Sequence, residues 1–228
     1  MGFAIFTFSV VFLLIVSGGL LLFYREEMLQ RIADAINPHP KQKSLLNTIQ
    51  QTGQSIGGVI GHEISHAFDD RGSQYDGDGN LLSEPGWFTP GDLQQFRART
   101  AALVAQYSAY APVPGYPING KLTLGENIAD NSGLAIAYKA YHLSLSGKQA
   151  PVIDGLTGDQ RFYIGWAQVW RSKTRENEAI MRIKSDPHSP DQIRGTVPEM
   201  NQDPFYATFS VQPGDKMYLA PERRVHLW

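Results

Sequence analysis

Cysteine is absent from all 228 residues, so this chain can form neither a disulfide framework nor a thiolate metal site. Any metal must rest on histidines and carboxylates. A dominant charge is missing too. The formal net charge is −2 with both signs interspersed, which leaves no electrostatic footprint for nucleic acid or for a strongly acidic ligand. The lack of cysteine does not choose a compartment, because a disulfide-free protein can work on either side of a membrane.

Charge is also lacking from Phe3 to Tyr24 (FAIFTFSVVFLLIVSGGLLLFY), a run long enough to cross a bilayer as a helix. A buried core helix would keep a polar face. A cleaved signal peptide would want Lys or Arg before the run and an A-x-A site after it, and neither is there. Residues 1–24 are therefore expected to be an uncleaved membrane anchor. Arg25, Arg31, Lys41 and Lys43 follow it, a bias that favours a cytoplasmic C-terminal side. Residues 25–54 read as a linker with a short helical flank. Met28, Ile32 and Ile36 have helical spacing, and Asn37-Pro38-His39-Pro40 stops that helix. The remainder, 55–228, is long enough for one sizeable core.

The most informative stretch is Gly57 to Asp70 (GGVIGHEISHAFDD). Read as a helix, it places Ile56, Val59, Ile60, Ile64, Ala67 and Phe68 on a mostly apolar surface, with His62 and His66 one turn apart on one face. Two neutral imidazoles so placed can hold one zinc ion, with Glu63 beside them to take a proton from the attacking water. A third ligand has to come from elsewhere. In the extended pattern H-E-x-x-H-x-x-G-x-x-H the last two positions are glycine and histidine, but here they hold Asp69 and Gly72, so that route is closed. Leu124-Gly125-Glu126-Asn127-Ile128-Ala129-Asp130 opens an alanine-rich helix continuing through Leu134, Ala137 and Tyr141, and Glu126 and Asp130 share one face of it. Glu126 as third ligand, and Asp130 holding the far N–H of His62, would complete a catalytic zinc site with one position left open. Two solvated acids on a helix surface is the plainer alternative.

The other motifs are structural. Asp76, Asp78 and Asn80 imitate the start of a calcium loop, but Leu81 stands where that loop needs glycine and Trp87 where it needs glutamate, so a tight turn is expected. Thr89-Pro90-Gly91-Asp92 reads as a helix start, with Leu93, Phe96, Thr100, Leu103 and Tyr107 on one face. Thr157-Gly158-Asp159-Gln160 reads as a capping box opening a long helix that carries Phe162, Trp166, Val169 and Trp170 and ends at Ser185-Asp186-Pro187-His188-Ser189-Pro190. His188 and Arg194 lie beyond it, where a lone loop histidine is ordinarily unremarkable.

Taken in series, GHEISHAFDD, LTLGENIADNSG, FYIGWAQVWRSK, DPHSPDQIRG and the closing ERRVHLW resemble the catalytic half of the neprilysin and endothelin-converting-enzyme family of zinc metallopeptidases, from about Ser55 to Trp228. The resemblance implies a mainly α, thermolysin-like catalytic lobe with minor β structure. It implies one zinc ion held by His62, His66 and Glu126, with Glu63 as catalytic base and Asp130 orienting a histidine. His188 would steady the oxyanion, and Arg194 would contact substrate and brace the site. It implies peptide substrates and a catalytic domain on the extracytoplasmic side, against the charge bias behind the apolar run. Two family features have no counterpart here: an N-A-F/Y-Y segment upstream of the zinc helix, and the large helical domain that roofs the catalytic chamber. A metallopeptidase acting on short peptides is the first expectation, and a truncated, membrane-tethered zinc-binding remnant without proteolysis is the alternative.

Overall fold

The computed structural model describes residues 56–84 and 86–228. The expected anchor (1–24) and the whole of the linker (25–54), His39 included, fall outside the described residues. Among the described residues, no helix is long and apolar enough to cross a membrane. The fold is mainly helical. Seven of its helices matter here or frame those that do: α1 (56–65), α2 (Pro90–Ser108), α3 (Leu124–Ser144), α4 (Gly158–Val169), α5 (Glu176–Ser185), α6 (Asp191–Arg194) and α7 (Val197–Met200), followed by α8 (Asp203–Phe209). Extended pairing among the described residues is limited to isolated bridges, Tyr75 with Leu81, Val113 with Tyr116 and Ile153 with Leu156.

Helix α3 is the spine. Its middle is apolar or small on every side, and eleven of its residues are buried, from Asn127 to Tyr141. Its first turns meet one apolar cluster (Phe96, Leu103, Tyr107, Ile128, Val197, Leu227), and its later turns meet another (Leu134, Ala137, Tyr141, Phe162, Tyr163, Trp166, Phe205). Asn131 carries polar order through the middle. Its Nδ2 donates to Tyr107 Oη at 3.0 Å, and its Oδ1 accepts from Asn201 Nδ2 at 2.7 Å. Asn201 Oδ1 in turn accepts from the Val225 backbone N–H, so each buried polar atom in this chain of contacts has a partner.

Local chemistry sets the helix starts. Thr89 Oγ1 accepts from the Asp92 N–H at 3.2 Å, and Thr157 with Gln160 closes a capping box. Two expectations need correcting. The helix from Thr157 does not run on to Ser185. It stops at Val169, and α5 begins at Glu176, because Trp170 leaves the helix to stack on Arg194 and the polar run 171–175 has no apolar group to bury. Nor does α1 bury its large apolar residues evenly, since Ile56 and Val59 are 48 % and 38 % exposed. Its inward face is Gly58, Gly61, His62 and Ser65. A Cβ on Gly58 would lie 2.7 Å from the Trp166 ring, and one on Gly61 would lie 2.7 Å from the Gly133 carbonyl. The helices approach too closely for anything but glycine.

Candidate metal centre

The glycine-to-glycine crossing of α1 over α3 brings His62 against Asp130. His62 is buried, and its Nδ1 lies 2.8 Å from Asp130 Oδ1. His66, one turn on, places Nδ1 2.8 Å from Asp69 Oδ2. With each Nδ1–H given to a carboxylate, both Nε2 atoms keep their lone pairs. These atoms face each other at 3.1 Å, with the rings nearly perpendicular. Glu126 completes the group, Oε2 lying 3.2 Å from His62 Nε2 and Oε1 3.6 Å from His66 Nε2. Although buried, Glu126 Oε2 makes no hydrogen bond of good geometry.

Three electron-rich atoms within 4.8 Å of one another are unfavourable unless a cation lies among them. Tetrahedral zinc, with bonds of about 2.0–2.1 Å to nitrogen and oxygen, spaces its ligands at roughly 3.3 Å, close to what is found here. The donor set fits zinc. A cluster of histidine nitrogens and one carboxylate without thiolate suits it better than calcium or magnesium, which prefer oxygen alone.

The electrostatics agree. Burial alone would lower the His62 imidazole, but its hydrogen bond to the Asp130 carboxylate and the nearby Glu126 carboxylate outweigh it and bring its pKa to about 9. His66 is raised by its hydrogen bond to Asp69, against the opposing effect of burial. Burial would raise Glu126, yet the imidazoles of His62, His188 and His66 hold it below its ordinary value. The pocket therefore binds positive charge, supplied by protons when nothing else is present.

His188 and Arg194 converge on the same place. Glu63, the next residue after His62 on α1, is exposed. His188 Nε2 lies 3.1 Å from Glu126 Oε2, and its Nδ1 lies 2.8 Å from Asp186 Oδ1. Arg194 donates from Nε and Nη2 to the two oxygens of Asp130, at 2.7 and 2.8 Å, and its own carbonyl accepts from Trp166 Nε1.

The motif model for peptidase family M13 matches residues 44–225. The chain belongs to this family. Among M13 relatives, endothelin-converting enzyme 1 of Homo sapiens is 41 % identical over 177 residues, covering 76 % of this chain and 22 % of that protein. Neutral endopeptidase of Lactococcus lactis is 37 % identical over 185 residues, covering 81 % of this chain and 27 % of that protein. The solved structure of the Mycobacterium tuberculosis zinc metalloprotease Zmp1 with an inhibitor superposes with a TM-score of 0.75 at 51 % identity, over 78 % of this chain and 28 % of that one. The chain thus spans about a quarter of the length of the M13 proteins it matches.

Sequence reading missed several residues that hold this cluster. In the sequence alone, Asp69 serves only to rule out a third histidine. It holds His66 instead, with Oδ1 accepting the backbone N–H groups of Arg71 and Gly72. Gly72 is needed for that return, because a Cβ there would strike the His66 carbonyl. Asp186, two residues before His188, anchors that ring, and Ser189 Oγ donates to Asn127 Oδ1 at 2.7 Å, tying the histidine loop to α3 beside Glu126. An acid three residues after one histidine and another two before the next were the available signals.

Proposed function

We propose that this chain is a zinc metalloendopeptidase that hydrolyses peptide bonds in short peptides, with His62, His66 and Glu126 holding a single zinc ion. The carrying observation is the convergence, from separate helices, of two carboxylate-anchored imidazoles and the Glu126 carboxylate, its buried Oε2 3.2 Å from His62 Nε2. When bound there, zinc supplies Lewis acidity, polarising the scissile carbonyl and making a water nucleophilic at neutral pH.

The chain's own residues supply the rest. Exposed Glu63 accepts the proton of the attacking water and later delivers it to the leaving amine, a contribution of roughly 10²–10⁴ in rate. His188, its ring anchored on Asp186, directs Nε2 into the site, where as a donor it steadies the oxygen that gains negative charge. Asp130 holds His62 by one oxygen and is held by the Arg194 fork on both, so Arg194 braces the site while standing next to the substrate. An uncleaved anchor over residues 1–24, with this domain on the extracytoplasmic side, is the topology that accords with the neprilysin resemblance.

Cleavage of a quenched fluorescent peptide by the zinc-loaded full chain, abolished by a chelator, tests this reading. Glu63→Gln should keep its zinc and lose at least about 10² in kcat. A parent chain that binds zinc yet cleaves no peptide would favour the non-proteolytic remnant. A Glu63→Gln variant as fast as the parent would remove Glu63 from the mechanism.

A further inference from the structure

Between Val169 and Asp186 the chain makes an excursion that starts and finishes at the candidate centre. At its beginning, the Trp170 ring lies 3.8 Å from the Arg194 guanidinium carbon. At its end, Asp186 fixes His188 through both the backbone N–H, at 2.9 Å, and Nδ1. A third tether, Ser172 Oγ to the Asp191 carboxylate, holds the excursion against α6. Whatever these residues carry is therefore held at the edge of the site.

They carry positive charge. Residues 171–185 include Arg171, Lys173, Arg175, Arg182 and Lys184 against Glu176 and Glu178, a local surplus of three in a chain whose net charge is −2. Two of the five are engaged: Arg182 pairs with Glu178 at 2.8 Å, and Lys184 lies over the Tyr116 ring at 5.2 Å. Arg171, Lys173 and Arg175 are exposed, and no carboxylate among the described residues pairs with them. They occupy three of five successive positions of irregular chain. Three unpaired cations so close together repel one another, a cost that an anionic partner would relieve.

We infer that the Arg171–Lys173–Arg175 rim selects peptides bearing acidic side chains near the scissile bond. This rests on the peptidase reading and deepens it by naming the substrate class. A peptide lying against His188 and Arg194 passes the tethers of the excursion, so its side chains approach the rim, and the attraction between them weakens with salt. An anionic lipid surface would satisfy the same charges, but the tethering of the rim to site residues at both ends favours the peptide.

The test uses the zinc-loaded full chain and two quenched peptides that differ only in Glu against Gln at positions flanking the cleaved bond. The acidic peptide should show a kcat/KM about tenfold higher at low salt, and the ratio should fall towards one at about 0.5 M salt. The triple variant R171Q/K173Q/R175Q should lose the preference while cleaving the Gln peptide at the parent rate. Anisotropy binding of the acidic peptide to the Glu63→Gln protein, with and without the triple change, should fall by a similar factor. If the variant keeps the preference, or loses both peptides equally, the inference is overturned. It is also overturned if the triple change abolishes binding to anionic vesicles but leaves peptide selectivity intact. Rim-dependent binding without any cleavage would sink the peptidase reading and leave the rim standing, whereas cleavage without preference would do the reverse.

Discussion

Asp69 and Asp130 do the same job on the two histidines and do it with different support. Asp130 is buried and clamped by Arg194, whereas Asp69 is set by two backbone N–H groups of the turn that follows α1. Removing Asp69 frees the His66 ring to rotate and exposes its Nδ1 to the wrong tautomer. Asp69→Ala should weaken zinc about 10–100-fold in a chelator competition, and an unchanged affinity would show that His66 needs no such holder. Glu199 is a different case. It is only 4 % exposed, its Oε1 has no hydrogen bond, and burial pushes its carboxyl well above the usual range. A folded pKa above the unfolded one means that the folded state holds the extra proton. Its contribution to stability is thus full below the unfolded value, about 4.5, and is lost as pH rises from there towards the folded pKa. Glu199→Gln should therefore raise Tm at pH 8 by at least about 2 °C while changing little at pH 4. Melting curves of the two proteins at both pH values check the sign.

Among the helices, the contact that sets the metal geometry is made by residues without side chains. A Cβ on Gly133 would lie 2.4 Å from the His62 backbone nitrogen and 2.8 Å from the Gly61 carbonyl carbon. Gly133→Ala must push α1 away from α3, which costs about 1–3 kcal/mol by overpacking and moves His62 from Asp130. Loss of several degrees in Tm together with weaker zinc binding is the expected pair of readouts. Gly91→Ala, where the new Cβ would meet only Thr89 Oγ1 at 4.0 Å, should be neutral or slightly stabilising. This contrast also explains what could be read in advance. The caps at Thr89 and Thr157 are contacts within one turn, so their residues announce them. The apolar periodicity of α1 pointed to Ile56 and Val59, because a pattern of large side chains cannot reveal that a close crossing will select the glycines between them. The break after Val169 was hidden for a related reason. No Pro or Gly marks it, and its cause, Arg194 waiting for Trp170, is twenty-four residues further along the chain.

For the molecule as a whole, the parts that could be foreseen are those whose chemistry has few alternatives. The meeting of His62, His66, Glu126 and Asp130 was legible because the paired histidines on one helix call for acids from another, whereas Asp69, Asp186 and Ser189 depended on how loops return. Metal bound at this cluster would also be coupled to stability. Without a cation, α1 and α3 meet through two opposed imidazole Nε2 atoms and a buried carboxylate oxygen, which only protons on the imidazoles can reconcile. A metal bound only in the folded state adds RT ln(1 + [Zn]/Kd), about 2.7 kcal/mol at a hundredfold excess over Kd. For a domain of this size that corresponds to roughly 5–10 °C in Tm. Stripping the protein with a chelator should lower its melting point by that amount, and restoring zinc should recover it. Magnesium or calcium should not, because neither accepts two imidazoles readily. A metal-free protein that melts with the zinc-loaded one would mean that α1 and α3 are locked together without the ion, and that the cluster contributes chemistry but no stability.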